Sequence, residues 1–466
     1  MKKSLTEFLE RVPLSRFHWF TSYSIGANSV SEPLDKAGLR GFHYTMLTIT
    51  SLIYGLTGMN VMLIAATLKP IIIEWNLVPV TAGMLASSFY VGMVFGALMS
   101  GRICDLIGRQ KTLALLILIS SIFMGLSSIA WDVGSMAVLR FLSGFGAGGT
   151  LPLPAVYIAE YAPSRYRGTF LGLVESSWVY GVLIGLFYGY LVVPTYSWRP
   201  GFYIAFLAII LVPIVIKFLP ESIRYLQSKG RSKEVLDILK KLGFAPPEKT
   251  LEFKEEKFGL RDVFSILFST YYIRRTILLW VLWGALVYTY HGIFIWLPTI
   301  YSSPPFNLKI VTSLEFVLMV TLFQIPGYYS ATFLLDKIGR KKVLAIYLIS
   351  AGVGSYLLGL SMQIEQILIW SSVISFFNLG AWAGLYAYTP ELYPTQFRGT
   401  GTGVAASVGR MMGVFAPTLT PFLLTAVGLY STFIVFALVH ILAGFVVIGL
   451  GIETKKKKLE EISLTL

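Results

Sequence analysis

The sequence predicts an all-α integral membrane protein with twelve transmembrane helices in two pseudo-symmetric six-helix bundles. Three observations lead there. Of 466 residues, 55% are apolar and 13% charged, about half the charged share of an ordinary soluble domain. Twelve apolar stretches are long enough to cross a bilayer, which takes about 20 helical residues. Two different motifs recur at one displacement, 231 residues, which marks a duplicated unit.

The spans are expected at 44–68, 81–101, 112–131, 135–160, 167–193 and 199–219, then at 274–300, 311–334, 341–360, 364–390, 399–425 and 429–451. Each should be helical, because lipid offers nothing to an open backbone. The chain then divides into an N-terminal segment (1–43), a first bundle (44–219), a linker with short helices (220–273), a second bundle (274–451) and a tail (452–466). SLTEFLERV reads as a surface helix capped at Ser4 with Glu7. In the linker, GRSKEVLDILKKLGF alternates charge and apolar residues at helical spacing. No cleavable signal pattern is visible in residues 1–43.

The net charge of +14 raises the question of nucleic acid, and its distribution answers it. With residue 1 inside, 33 of the 38 Lys and Arg fall in cytoplasmic segments and only Lys69, Arg199 and Lys309 outside, while Arg140 and Arg410 lie within spans. This is the positive-inside asymmetry. It predicts a multi-pass protein of the cytoplasmic membrane with both termini cytoplasmic and no nucleic-acid partner. Lysines 455–458 are placed to meet anionic headgroups. The lone Cys104 excludes an intramolecular disulfide and a cysteine metal cluster.

EYAPSRYRG (160–168) and ELYPTQFRG (391–399) share a Glu-x-x-Pro-x-x-x-Arg-Gly frame, and GRICDLIGRQK (101–111) and FLLDKIGRKK (333–342) share Asp-x-x-Gly-Arg. All four fall at cytoplasmic span ends, where Gly permits a sharp turn and Pro ends a helix. Asp105, Arg109, Glu160, Arg167, Asp336, Arg340, Glu391 and Arg398 can form ion pairs between helices. At about 1 kcal/mol each, such pairs bias a switch without locking it.

These loops and corners, with RFLSGFGAGG after Arg140 and PESIRYL at 220–226, resemble the major facilitator superfamily. Within it they are similar to the sugar porters and the related organic-acid:proton symporters. The resemblance covers residues 42–454. It implies a monomeric secondary carrier working by alternating access, with no cofactor and no covalent chemistry. The glycines Gly144, Gly146 and Gly149 match Gly-x-Gly-x-x-Gly, but they lie inside a span with no preceding strand, which excludes a dinucleotide fold. No phosphate-cradling loop, hydrolase elbow or metal cluster is present. The chain is not read as an enzyme.

Function should sit where ionisable groups lie at mid-depth, since each costs about 3 kcal/mol or more there unless paired or hydrated. Glu175 is seven residues past Gly168 and Arg410 eleven past Gly399, roughly 10 and 16 Å into repeat-related helices. A fixed guanidinium there suits a carboxylate passenger. By the resemblance, Glu175 and His291 occupy positions where sugar porters bind sugar. The arginine at 410 is instead similar to those of organic-anion carriers. His291 lies seven residues before Pro298, a pattern of interrupted helices at central sites. Glu175, Arg140 and His291 are candidate coupling residues, since Thr57 and Asn60 stand where proton-coupled relatives carry acids. Arg410, Glu175, His291, Asn378, Trp382, Asn60 and Tyr288 are the candidate passenger contacts, with Tyr290, Trp296, Tyr386 and Tyr388 as further aromatics near the suspected cavity. The leading expectation is a small organic anion as passenger, with the proton as candidate coupling ion. A sugar or polyol carrier is the alternative, and a nutrient receptor without transport the remote one.

Overall fold

The computed structural model describes residues 38–243, 260–393 and 398–455, apart from the side chains of Ser164, residues 260–263 and Arg398. The expected helix at Ser4, residues 244–259 of the linker and Lys456 to Lys458 lie outside the described residues. Among the described residues, eleven helices are long and apolar enough to span a bilayer. The last, Gly399–Leu450, has 52 residues, more than twice what one crossing needs. It folds back at Gly428, whose φ is 78°. Twelve spans result.

They are α1 (Gly41–Glu74), α2 (Pro79–Ile107), α3 (Arg109–Ile129), α4 (Val133–Tyr161), α5 (Arg167–Val192), α6 (Pro200–Phe218), α7 (Ile273–Phe294), α8 (Ile310–Ile338), α9 (Arg340–Gly359), α10 (Ile364–Glu391), α11 (398–427) and α12 (429–450). Short helices Ile223–Ser228, Ser232–Lys241 and Leu260–Leu267 lie between the halves. Beyond α7, a break at Trp296 separates a short continuation, Leu297–Tyr301.

The repeat is visible in the packing. In the first half α1 packs on α5, α2 on α4 and α3 on α6; in the second α7 packs on α11, α8 on α10 and α9 on α12. Close approach needs small residues, because lipid supplies no hydrophobic drive between helices. A Cβ on Gly144 would sit 1.9 Å from the Phe89 carbonyl oxygen. The Gly-x-Gly-x-x-Gly glycines are therefore a helix-packing face.

The halves meet along α2–α11 and α5–α8. At the end away from the charged loops this seam is tight. Gly83 abuts Pro417 and Thr418, Ser87 Oγ lies 2.8 Å from Thr418 Oγ1, and Lys69 Nζ donates to Ser303 Oγ at 3.1 Å. At the charged end the seam is loose. A Cβ on Gly101, Gly168, Gly399 or Gly403 would meet nothing within 4 Å, and Asp105 is exposed with no partner among the described residues.

Candidate functional site

Between the halves, five aromatic side chains close a circuit. Tyr54 of α1 meets Trp178 of α5 edge-on at 5.9 Å between ring centroids. Trp178 meets Tyr290 of α7 at 6.5 Å and donates its indole N–H to the Tyr290 hydroxyl at 3.0 Å. Tyr290 meets Trp382 of α10 at 6.4 Å, and Trp382 meets Tyr386 one turn on at 5.6 Å. The Tyr386 and Tyr54 hydroxyls, 2.9 Å apart, complete it. Two members come from the first half and three from the second, so the circuit exists only while the halves face each other. Its ring faces suit a flat, π-rich passenger.

The two mid-depth charges lie within electrostatic reach of one edge of this circuit, the Tyr54–Tyr386 pair. Glu175 and Arg410 are both half-buried. Among the described residues neither makes a hydrogen bond or an ion pair. Both act electrostatically on the Tyr54 and Tyr386 hydroxyls, and Glu175 also on Tyr328 of α8. Opposite charges thus stand beside the same pair of phenols without neutralising each other. At this depth that arrangement is costly unless water or a passenger answers them.

The remaining candidates separate into two groups. His291 lies between the halves, its ring 4.8 Å from Tyr90 of α2 and 5.2 Å from Tyr290. The Val287 carbonyl accepts from its Nδ1 at 2.9 Å, which leaves Nε2 as the acceptor. Arg140 is 0% exposed. It donates to the carbonyls of Leu85 and Ala86 at 3.3 and 3.4 Å, and among the described residues no group accepts from Nη1. Trp296 donates to the Pro417 carbonyl at 2.9 Å.

Asn60, Tyr288 and Asn378 are each engaged within their own bundle, while the amide oxygens of both asparagines and the Tyr288 hydroxyl have no partner among the described residues. Asn60 Nδ2 reaches Ser120 Oγ at 3.3 Å. Tyr288 packs on Phe436 of α12 at 5.3 Å. Asn378 Nδ2 is committed to Thr289 Oγ1 at 3.1 Å and His440 Nε2 at 2.9 Å. Tyr388, also named from sequence, donates to the Ile452 carbonyl at 2.6 Å, on the helix face opposite Tyr386. Each of these groups meets a polar neighbour or packing partner within its bundle, which is the cheapest place for it when lipid is the alternative.

At the charged end the same cluster is built twice. Arg109 pairs with Glu160 and donates to Ser222 Oγ at 2.8 Å. Ser222 in turn donates to Glu160 at 2.6 Å, and Glu221 accepts the Arg109 backbone N–H at 2.7 Å, capping α3. In the second half Arg340 pairs with Glu391 at 3.2 Å. Thr454 Oγ1 donates to Glu391 at 2.5 Å, and Glu453 accepts the Arg340 N–H at 2.9 Å. Gly108 and Gly339 have φ of 92° and 102°, and in each a Cβ would strike the capping glutamate. Only glycine fits both conditions. Asp336 joins Arg340 at 3.0 Å, whereas Asp105 stays apart. Arg167 Nε donates to the Ala162 carbonyl at 2.9 Å, and the Arg398 side chain lies outside the described residues.

Sequence reasoning missed Tyr54, Trp178 and Tyr328 at the centre and Glu221, Ser222, Glu453 and Thr454 at the charged end. Trp178 lies three residues past Glu175, on the same helix face. Glu221-Ser222 and Glu453-Thr454 stand 232 residues apart, one off the repeat displacement, a signal present in the sequence.

Two six-helix bundles around a central polar and aromatic site define a secondary membrane transporter. The chain belongs to the family described as "Sugar (and other) transporter", whose model matches residues 37–466. Members of that family are transporters. The chain is 35% identical over 427 residues to the niacin transporter NiaP of Acinetobacter baylyi, covering 91% of this chain and 97% of that one. It is 32% identical over 416 residues to the putative niacin/nicotinamide transporter NiaP of Bacillus subtilis, covering 89% and 97%. Among solved structures, a partially occluded inward-open form of the xylose transporter XylE of E. coli matches with a TM-score of 0.72 at 19% identity, covering 90% and 100%. That match establishes the fold.

Proposed function

We propose that this protein is a proton-coupled carrier of small aromatic monocarboxylates of the niacin type. The observation that carries this reading is the pair of unpartnered charges, Arg410 and Glu175, within electrostatic reach of one edge of the closed aromatic circuit. A carboxylate answers the guanidinium with bidentate geometry, and a flat ring lies against Trp178, Tyr290, Trp382 and Tyr386. A neutral sugar brings no charge to answer the guanidinium. The two niacin-transporter relatives support the same chemistry.

Glu175 is the natural proton carrier. Among the described residues it is the one acid between the halves at mid-depth, since α1 offers only Thr57, bonded to the Ile53 carbonyl at 2.8 Å, and Asn60. The halves 44–219 and 274–451 rock about the circuit, joined by the linker 220–273. The charged-end clusters hold each half's helix ends together. Orientation follows the positive-inside asymmetry: charged loops and both termini in the cytoplasm of a cell membrane. One chain supplies a complete site, so the carrier works as a monomer. The loose charged end and tight opposite end make the present state one that opens to the cytoplasm.

The test is counterflow of labelled nicotinate in liposomes holding the purified protein alone. Uptake competed by carboxylates and untouched by hexoses or pentoses is expected. Competition by sugars without any by carboxylates would replace this reading with the sugar-carrier one, and binding without flux would make the protein a receptor.

A further inference from the structure

We propose that Glu175 reads a basic ring nitrogen in the passenger, so that pyridine-type monocarboxylates are selected over benzene-type ones. The inference rests on the reading above and assigns the second end of the same site. Arg410 by itself fixes only a carboxylate. The aromatic circuit accepts any flat ring, since stacking is indifferent to one ring atom. What distinguishes members of this class must therefore be read by a polar group that the carboxylate and the ring face leave unanswered. Glu175, the Trp382 indole N–H and His291 Nε2 are such groups, and we assign the reading to Glu175 because it shares the Tyr54–Tyr386 hydroxyl pair with Arg410.

The geometry supports the division of labour. Glu175 comes from the first half and Arg410 from the second, and each touches the Tyr54–Tyr386 hydroxyl pair electrostatically. They make no ion pair within 4 Å of each other, so neither satisfies the other. The phenols of Tyr54 on α1, Tyr328 on α8 and Tyr386 on α10 lie within electrostatic reach of Glu175, and those of Tyr54 and Tyr386 also within reach of Arg410 on α11. Tyr328 is committed elsewhere, donating to the Gly172 carbonyl at 3.0 Å. A passenger that presents a carboxylate at one end and a proton acceptor at the other spans both charges and both halves.

The proton balance is simple. Either a protonated Glu175 donates O–H to the ring nitrogen, or a Glu175 carboxylate accepts N–H from a protonated ring. Both place one proton, taken from solution, between the carboxyl oxygen and the nitrogen. No covalent bond other than that O–H or N–H is made or broken. The coupling proton and the recognised nitrogen are then one feature, and a benzene carboxylate leaves the carboxyl of Glu175 buried without a partner, which costs roughly 10- to 100-fold in affinity.

The experiment is competition against labelled nicotinate counterflow by unlabelled nicotinate, benzoate and nicotinamide at two pH values. Wild type is expected to prefer nicotinate over benzoate roughly 10- to 100-fold. Glu175→Leu is expected to bring that ratio to near one. Glu175→Gln keeps an N–H donor, so it is expected to retain part of the ratio while losing its dependence on pH. Should Glu175→Leu fail to fold, Glu175→Gln alone still decides, because an unchanged pH dependence overturns the proposal. Equal competition by benzoate and nicotinate in wild type overturns the ring-nitrogen inference while leaving the aromatic-carboxylate reading intact. Failure of both to compete ends both.

Discussion

The charged end and the centre of this molecule treat the same duplication in opposite ways. At the charged end every working group has a twin: Arg109 and Arg340, Glu160 and Glu391, Glu221 and Glu453, Ser222 and Thr454. At the centre the twins are gone. The repeat counterpart of Glu175 is Ala406, that of Arg410 is Val179, and those of Tyr54, Tyr290, Trp382 and Tyr386 are Ala285, Met59, Leu151 and Ala155. Parts that hold helix ends together are needed once per half. Parts that grip one asymmetric passenger are needed once per molecule. The loss of internal symmetry thus falls on the proposed binding site.

The largest effect should come from the unsymmetrical centre. Arg410→Ala is expected to lower nicotinate counterflow about 100-fold or more, as removal of a desolvated charge partner does, with Arg410→Lys keeping part of it. Normal transport by the alanine variant would show that the centre is not where the passenger binds. Next come the twinned clusters. Glu160→Gln and Glu391→Gln are each expected to slow turnover about five- to tenfold without changing nicotinate affinity measured by thermal shift. If only one half mattered, the mirrored clusters would be mechanically unequal, and the free Asp105 against the bonded Asp336 would be the first difference to examine.

A smaller change is expected at the seam of the two halves. Tyr54→Phe removes one hydroxyl from the Tyr54–Tyr386 contact and should weaken nicotinate binding about fivefold, read by the same thermal shift. An unchanged affinity would detach the phenol pair from the site. The smallest effect concerns a helix start away from both regions. Asp132 caps α4, accepting the Ser135 N–H at 2.7 Å. That bond, then the Ser135 hydroxyl, holds its carboxyl below the usual 3.8. The stabilisation is present above that value and lost as the pH falls through the lowered one. Asp132→Ala should therefore lower Tm slightly at neutral pH, with the gap to wild type closing below about pH 4. A gap independent of pH would contradict the carboxylate's role.

The spans and the duplication were legible because lipid leaves few choices: each crossing must be a long apolar helix, and a repeated corner such as EYAPSRYRG is conspicuous among them. Glu175 and Arg410 were legible for the same reason, as ionisable groups at mid-depth are rare. The aromatic circuit was not. With 15% of the chain aromatic, nothing in sequence separates Tyr54 and Trp178, which face the other half, from Tyr288, which faces its own. Side-chain direction there depends on helix rotation, and an all-round apolar helix does not encode rotation in its pattern. For Asn60 and Asn378 the sequence is ambiguous for a related reason: a polar residue in a span needs a partner, and the partner can be a neighbouring helix as readily as a passenger.

The most direct test is a structure of the protein determined with nicotinate. The expected result is one ring lying within the circuit of Tyr54, Trp178, Tyr290, Trp382 and Tyr386, its carboxylate within hydrogen-bond distance of the Arg410 guanidinium. A passenger bound elsewhere, or bound in the circuit with its carboxylate turned away from Arg410, would contradict it.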